Sequence, residues 1–145
     1  MPTATSSEEG RVALLDTSAA IALVVEDHED HVAMLEAVRG RRLGLAGHAW
    51  FETYSVLTRL PGARRRSPAD AARLLAHDFP VAAFLGEDEA VHLRQDLALL
   101  GVSGGAVHDA LVAAAARQHG APLLSGDTRA KPLYEALGVA FEVIR

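Results

Sequence analysis

Five short apolar runs alternate along the chain with segments of helical period, and this alternation limits the possible folds more than any other feature. The runs occupy residues 11–15, 43–46, 81–84, 123–124 and 140–144. Between them, helices are expected over 19–25, from the polar stretch at 26–30 to about 39, and over 48–60, 68–77, 87–100, 106–119 and 130–137. Strands separated by helices cannot pair as hairpins; they pair in parallel, with the helices covering both faces of the sheet. The expected fold class is therefore α/β, a three-layer α/β/α sandwich around a central parallel sheet. Its boundaries carry chemical signals: Ser67-Pro68-Ala69-Asp70 opens a helix with a hydroxyl cap, a proline and an acid, while Gly101 and Gly120 each close one.

With 145 residues, half of them apolar, the chain can build one substantial core. Residues 11–145 are expected to form one domain behind a flexible lead over 1–10. That lead has neither a basic flank nor an apolar segment, and the longest apolar run, 110–116, is far shorter than the roughly 20 residues that cross a bilayer. A cytoplasmic protein without membrane contact is expected. There is no cysteine, so thiolate metal sites and cysteine nucleophiles are excluded and any metal must be held by oxygen or imidazole. The net charge of −5 argues against holding nucleic acid by a general positive field.

In an open parallel sheet, ligands bind beyond the carboxyl ends of the strands. Two acids stand there: Asp16 follows the first apolar run and Asp127 follows the fourth. Carboxylates at one sheet edge repel unless a cation lies between them. Two more lie on helices. Glu52 borders the apolar stripe of Ala49, Thr53, Val56, Leu57 and Leu60, and Asp109 sits in a helix that is apolar nearly all round. A buried charge of that kind must be paired or bind metal. Each acid alone has a plainer explanation. Asp16 reads equally as a helix cap, Asp127 as turn chemistry, Glu52 as a solvated helix residue and Asp109 as a partner of the helix dipole. It is their convergence that points to a metal site.

Four segments carry a more specific signal. Leu15-Asp16-Thr17-Ser18, the helix bearing Glu52, Val107-His108-Asp109-Ala110-Leu111 and Leu124-Ser125-Gly126-Asp127-Thr128-Arg129 together resemble the PIN-domain family, in particular VapC-type toxins of toxin–antitoxin pairs. The resemblance extends over 12–144. It implies a Rossmann-like endoribonuclease that uses Mg2+ or Mn2+, is blocked by a small VapB-like antitoxin and forms a homodimer. It also implies that Asp16, Glu52, Asp109 and Asp127 are the acidic quartet, with Ser18 as a supporting hydroxyl. A divalent ion held by carboxylates would offset charge on the scissile phosphate and activate water, leaving a 5′-phosphate and a 3′-hydroxyl.

Arg64, Arg65 and Arg66 are the candidate contact to an RNA backbone, although a charged loop is more often simply solvated. The antitoxin is expected near Val24, Trp50 and Leu57. His28 and His31 have a spacing that zinc could use but no further ligands nearby, so they read as surface histidines. Two alternatives compete with the nuclease. A PIN-like RNA-binding module without cleavage is disfavoured because all four acids are present. A phospho-accepting receiver is disfavoured because the one lysine, Lys131, lies beyond the last acid and no acid closes the 81–84 run.

Overall fold

A computed structural model describes residues 10–145; the expected flexible lead lies, up to residue 9, outside the described residues. Five strands form one parallel sheet: β1 (Val12–Leu15), β2 (Arg42–Ala46), β3 (Val81–Ala83), β4 (Leu123–Ser125) and β5 (Phe141–Val143). Their spatial order is β3-β2-β1-β4-β5. The helices are α1 (Thr17–Val24), α2 (His31–Val38), α3 (Ala49–Arg59), α4 (Pro68–Asp78), α5 (Glu87–Leu99), α6 (Ala106–His119) and α7 (Lys131–Ala136). The expected α/β class and parallel sheet are what the chain forms.

Strand order reverses between β1 and β4. From β1 the chain steps outward through β2 to β3, then crosses back to β4 and steps to β5. Right-handed crossovers therefore place α1 to α4 on one face and α5 to α7 on the other. The packing agrees: α1 lies on β1 and β4 and touches α3, while α6 lies on β2 and β3 and touches α5 and α7. The β1/β4 junction is thus the topological switch point, where an open parallel sheet leaves a crevice at its carboxyl edge.

The core is built of side chains that let helices approach closely. Leu14, Leu15, Leu45, Leu123 and Leu124 fill the sheet, and Ala113 to Ala116 of α6 are buried against it. A helix comes close to the sheet edge at Gly47, which has φ +48° and where a Cβ would stand 3.0 Å from that of Ala115. Only glycine adopts this turn without strain, and the turn sets the start of α3. Gly120, at φ +64°, closes α6 in the left-handed region, as its position in the sequence implies.

Differences from the expected boundaries have local causes. α1 begins at Thr17 rather than residue 19 because the Asp16 carboxylate accepts a hydrogen bond from the Ala19 backbone N–H and caps it there. β5 spans three residues instead of five because it is an edge strand whose ladder ends with its partner, β4. The helix expected over 130–137 starts as a 3-10 turn at Thr128–Ala130 and becomes regular at Lys131. His28 and His31 pin the α1–α2 connection: His28 Nδ1 accepts from the Asp30 N–H at 3.0 Å, and His31 Nδ1 lies 2.9 Å from the Ala22 carbonyl. Among the described residues, no helix is long and apolar enough to cross a membrane.

Candidate active site

Asp16 ends β1 and caps α1 with an extended backbone, so its carboxylate is fixed where the strand stops. It is only 5% exposed, yet both oxygens are bonded. Oδ1 accepts from Ser18 Oγ at 2.6 Å and from Ala19 N at 2.9 Å, and Oδ2 accepts from the Tyr134 hydroxyl at 2.8 Å. Tyr134 comes from α7 and is fully buried. Burial, with the Asp16 carboxylate beside it, pushes its phenol pKa well above normal, so it remains a protonated donor.

Thr17 and Ser18 face different neighbours. Ser18 Oγ accepts from Gly126 N at 2.8 Å and lies 3.4 Å from Ser125 Oγ, which accepts from Asp127 N at 3.1 Å. Thr17 Oγ1 donates to Glu52 Oε2 at 2.7 Å. The consecutive residues Asp16, Thr17 and Ser18 therefore join the start of α1 to α7, α3 and the turn after β4.

Asp127 caps the 3-10 turn. Its Oδ1 accepts from Arg129 N at 2.9 Å and from Arg129 Nε at 3.1 Å. Burial is the largest single influence and pushes its pKa up, but the two hydrogen bonds and the charge of Arg129 together outweigh it and hold the carboxyl below its ordinary value. Asp109, in the first turn of α6, has the opposite balance. Desolvation, reinforced by the negative charges of Asp16, Asp127 and Glu52, pushes its pKa up to about 6. Four carboxylates thus act on one another at the switch point.

Glu52 sits in the first turn of α3. Its Oε1 faces two imidazoles, His48 Nε2 at 3.4 Å and His108 Nδ1 at 3.6 Å. The two rings are nearly parallel, with centroids 5.0 Å apart. These three residues form the compact group among the described residues: their ligand atoms lie within 4.8 Å of one another. The acids of the sequence analysis surround the crevice more loosely.

The arginine loop stands apart. Arg64 is ion-paired with Asp27, Arg65 Nε donates to the Leu60 carbonyl at 3.0 Å, and Arg66 N donates to the Leu57 carbonyl at 2.9 Å. All three follow the far end of α3, and the seven helical steps from Glu52 to Arg59 alone extend about 10 Å along the helix. Leu57 is 1% exposed and belongs to the core, so it offers nothing to an antitoxin, contrary to expectation. Its helix instead exposes Phe51, whose ring lies 6.0 Å from that of Phe84. A cavity of about 1040 Å³ opens at the opposite edge of the sheet, against Arg11, Arg41, Pro122 and Phe141, and contains none of the four acids.

Sequence reasoning did not find Tyr134, Ser125 or the His48–His108 pair. Tyr134 is 118 residues from Asp16, Ser125 is 107 from Ser18 and His108 lies on another helix from His48, so no local spacing reveals those contacts; only the four-residue step from His48 to Glu52 could have been read.

Three other acids raise the proton affinity of the half-buried Asp109 carboxyl and His108 only partly opposes them, so the site is short of positive charge. The hard oxygen donors fit a divalent cation.

Comparison with known proteins agrees with this chemistry. A PIN domain family model matches residues 13–136. Two curated relatives come from Mycobacterium tuberculosis. Ribonuclease VapC27 is 49% identical over 86% of this chain and 91% of its own length, and ribonuclease VapC40 is 41% identical over 89% and 96%. Two crystal structures share the fold. VapBC2 from Rickettsia felis, bound to a DNA fragment from its promoter, has a TM-score of 0.67 at 13% identity, covering 92% of this chain and 99% of its own. VapC20 from Mycobacterium tuberculosis, described as a sarcin–ricin-loop cleaving toxin, has a TM-score of 0.65 at 22% identity, covering 88% and 96%.

Proposed function

This chain belongs to the PIN-domain family, and on that premise we propose that Asp16, Glu52, Asp109 and Asp127 hold Mg2+ or Mn2+ for the hydrolysis of RNA. It is an endoribonuclease of the VapC type, the toxin of a toxin–antitoxin pair, with RNA as substrate and a VapB-like antitoxin as partner. Residues 11–145 work as one nuclease domain, and the protein assembles as a homodimer.

The observation that carries this reading is Asp109, half-buried, with its proton affinity raised by burial and by Asp16, Asp127 and Glu52. Such a site is incomplete without a cation. When bound, a divalent ion neutralises charge on the phosphate and favours ionisation of an attacking water. The chain's own residues supply the positioning. Ser18 and the Ala19 N–H occupy Oδ1 of Asp16 and Tyr134 holds Oδ2, leaving one lone pair of Oδ2 for a ligand, and Thr17 turns Glu52 by one oxygen. Arg129 keeps Asp127 ionised and, being exposed, offers a cation near the phosphate. Arg64, Arg65 and Arg66 contribute only if RNA extends beyond the crevice along α3.

The experiment is cleavage of total cellular RNA by purified protein with Mg2+, with Mn2+ and with EDTA, followed by end mapping. Discrete fragments bearing 5′-phosphates and 3′-hydroxyls, lost with EDTA, are expected. Products with 2′,3′-cyclic phosphates would refute metal-assisted hydrolysis, and RNA bound but uncut would favour a binding module.

A further inference from the structure

We propose that His48, Glu52 and His108 form a second metal site, on the rim of the acidic crevice, for a nitrogen-preferring ion of the Zn2+ type. The first support is spacing. The contacts from Glu52 Oε1 to His48 Nε2 and His108 Nδ1, 3.4 and 3.6 Å, are too long for good hydrogen bonds. They are close to the separation of about 3.3 Å between two ligand atoms on a tetrahedral ion with bonds of about 2.0–2.1 Å. All three ligand atoms already lie within 4.8 Å of one another.

The second support is construction. His48, which caps α3, stands four residues and about one helical turn before Glu52, and His108 reaches them from the first turn of α6 across the sheet edge. Thr17 Oγ1 takes Glu52 Oε2 and leaves Oε1 facing the imidazoles. An outer hydrogen bond of this kind commonly orients a metal ligand. The His48 and Glu52 side chains are 36% and 30% exposed and His108 55%, so an ion can enter and His108 can rotate its lone pair inward. Two imidazoles and one carboxylate select Zn2+, Co2+ or Ni2+ over Mg2+ and leave one position open.

Glu52 then has two claimants. An ion between the histidines withdraws Glu52 Oε1 from the acidic set, so Zn2+ inhibits Mg2+-supported cleavage. This second half rests on the nuclease reading; the binding site itself does not.

The test titrates Co2+, then Zn2+, into the full chain at about pH 7.5 with excess Mg2+, where free imidazole is largely neutral. One equivalent of Co2+ should give the strong visible absorption of a low-coordinate ion and be displaced by Zn2+. X-ray absorption at the Zn edge of the unmutated protein should show two imidazoles. His48→Ala and His108→Ala should each weaken Zn2+ binding by more than the roughly tenfold loss expected for Thr17→Val, which removes only an outer contact. In RNA cleavage, His108→Ala should relieve inhibition by Zn2+. A Zn edge without imidazole, or binding unchanged in the double histidine variant, overturns the site. Two imidazoles without inhibition overturn the link to cleavage. Absence of all cleavage, with the site formed, counts against the nuclease and not against the site.

Discussion

Asp109 shows how a functional group burdens the fold that holds it. Its folded pKa of about 6 lies above the ordinary 3.8, because burial and neighbouring acids oppose its charge. In metal-free protein the resulting destabilisation is absent below about pH 4, builds as pH rises through 6 and is complete above it. Solvent screening of a half-buried carboxyl leaves on the order of 1 kcal/mol. Asp109→Asn should therefore abolish cleavage yet raise the melting temperature in EDTA at about pH 7.5 by a few degrees, with no gain near pH 4. A variant that melts lower at neutral pH would contradict this account. Tyr134→Phe tests the opposite kind of residue. It leaves a buried Asp16 oxygen one donor short, which should cost about 1–3 kcal/mol in thermal or denaturant unfolding and slow cleavage. The strand-end acids were legible because a charge directly after an apolar run is unusual. Tyr134 was not, because a tyrosine in a short helix gives no sign of which distant carboxylate it meets.

Between elements, the junction of β1 with α1 matters most, because three consecutive residues there hold three other parts of the chain. Ser18→Ala should free both Gly126 N and Asp16 Oδ1, lowering cleavage about tenfold at saturating metal while the protein stays folded. Wild-type turnover in this variant would remove Ser18 from the site. At the turn into α3, Gly47→Ala places a Cβ 3.0 Å from Ala115 at a positive φ. It should cost about 1–2 kcal/mol in unfolding experiments and tilt the helix that carries Glu52 and His48. Helices such as α4 and α6 were read correctly because Ser67-Pro68 and Gly120 are local instructions. The short edge strands β3 and β5 were drawn too long, since where a ladder stops depends on the partner strand rather than on the residues of the edge. The antitoxin expectation failed at Leu57 for a related reason. Helical periodicity shows that a face is apolar but not whether another element already covers it.

For the whole molecule, the strand order determines where chemistry can occur. The reversal between β1 and β4 brings two strand-end acids to one edge, and helices from opposite faces of the sheet add Glu52 and Asp109. Sequence alone supplied the acids and the parallel class, but not the order β3-β2-β1-β4-β5, which depends on long-range pairing. With a net charge of −5, the protein has no general attraction for RNA, so the cation must provide much of the local positive charge. Divalent metal should accordingly stabilise the folded state. Mg2+ or Mn2+ at about a hundredfold above its dissociation constant should add roughly 2.7 kcal/mol, and EDTA should remove the gain in a thermal melt at neutral pH. The most direct measurement is anomalous X-ray diffraction from crystals soaked in Mn2+. The account predicts a peak within coordination distance of Asp16 and Asp109 at the carboxyl end of β1. Well-ordered crystals with Mn2+ bound elsewhere, and none at those two carboxylates, would contradict it.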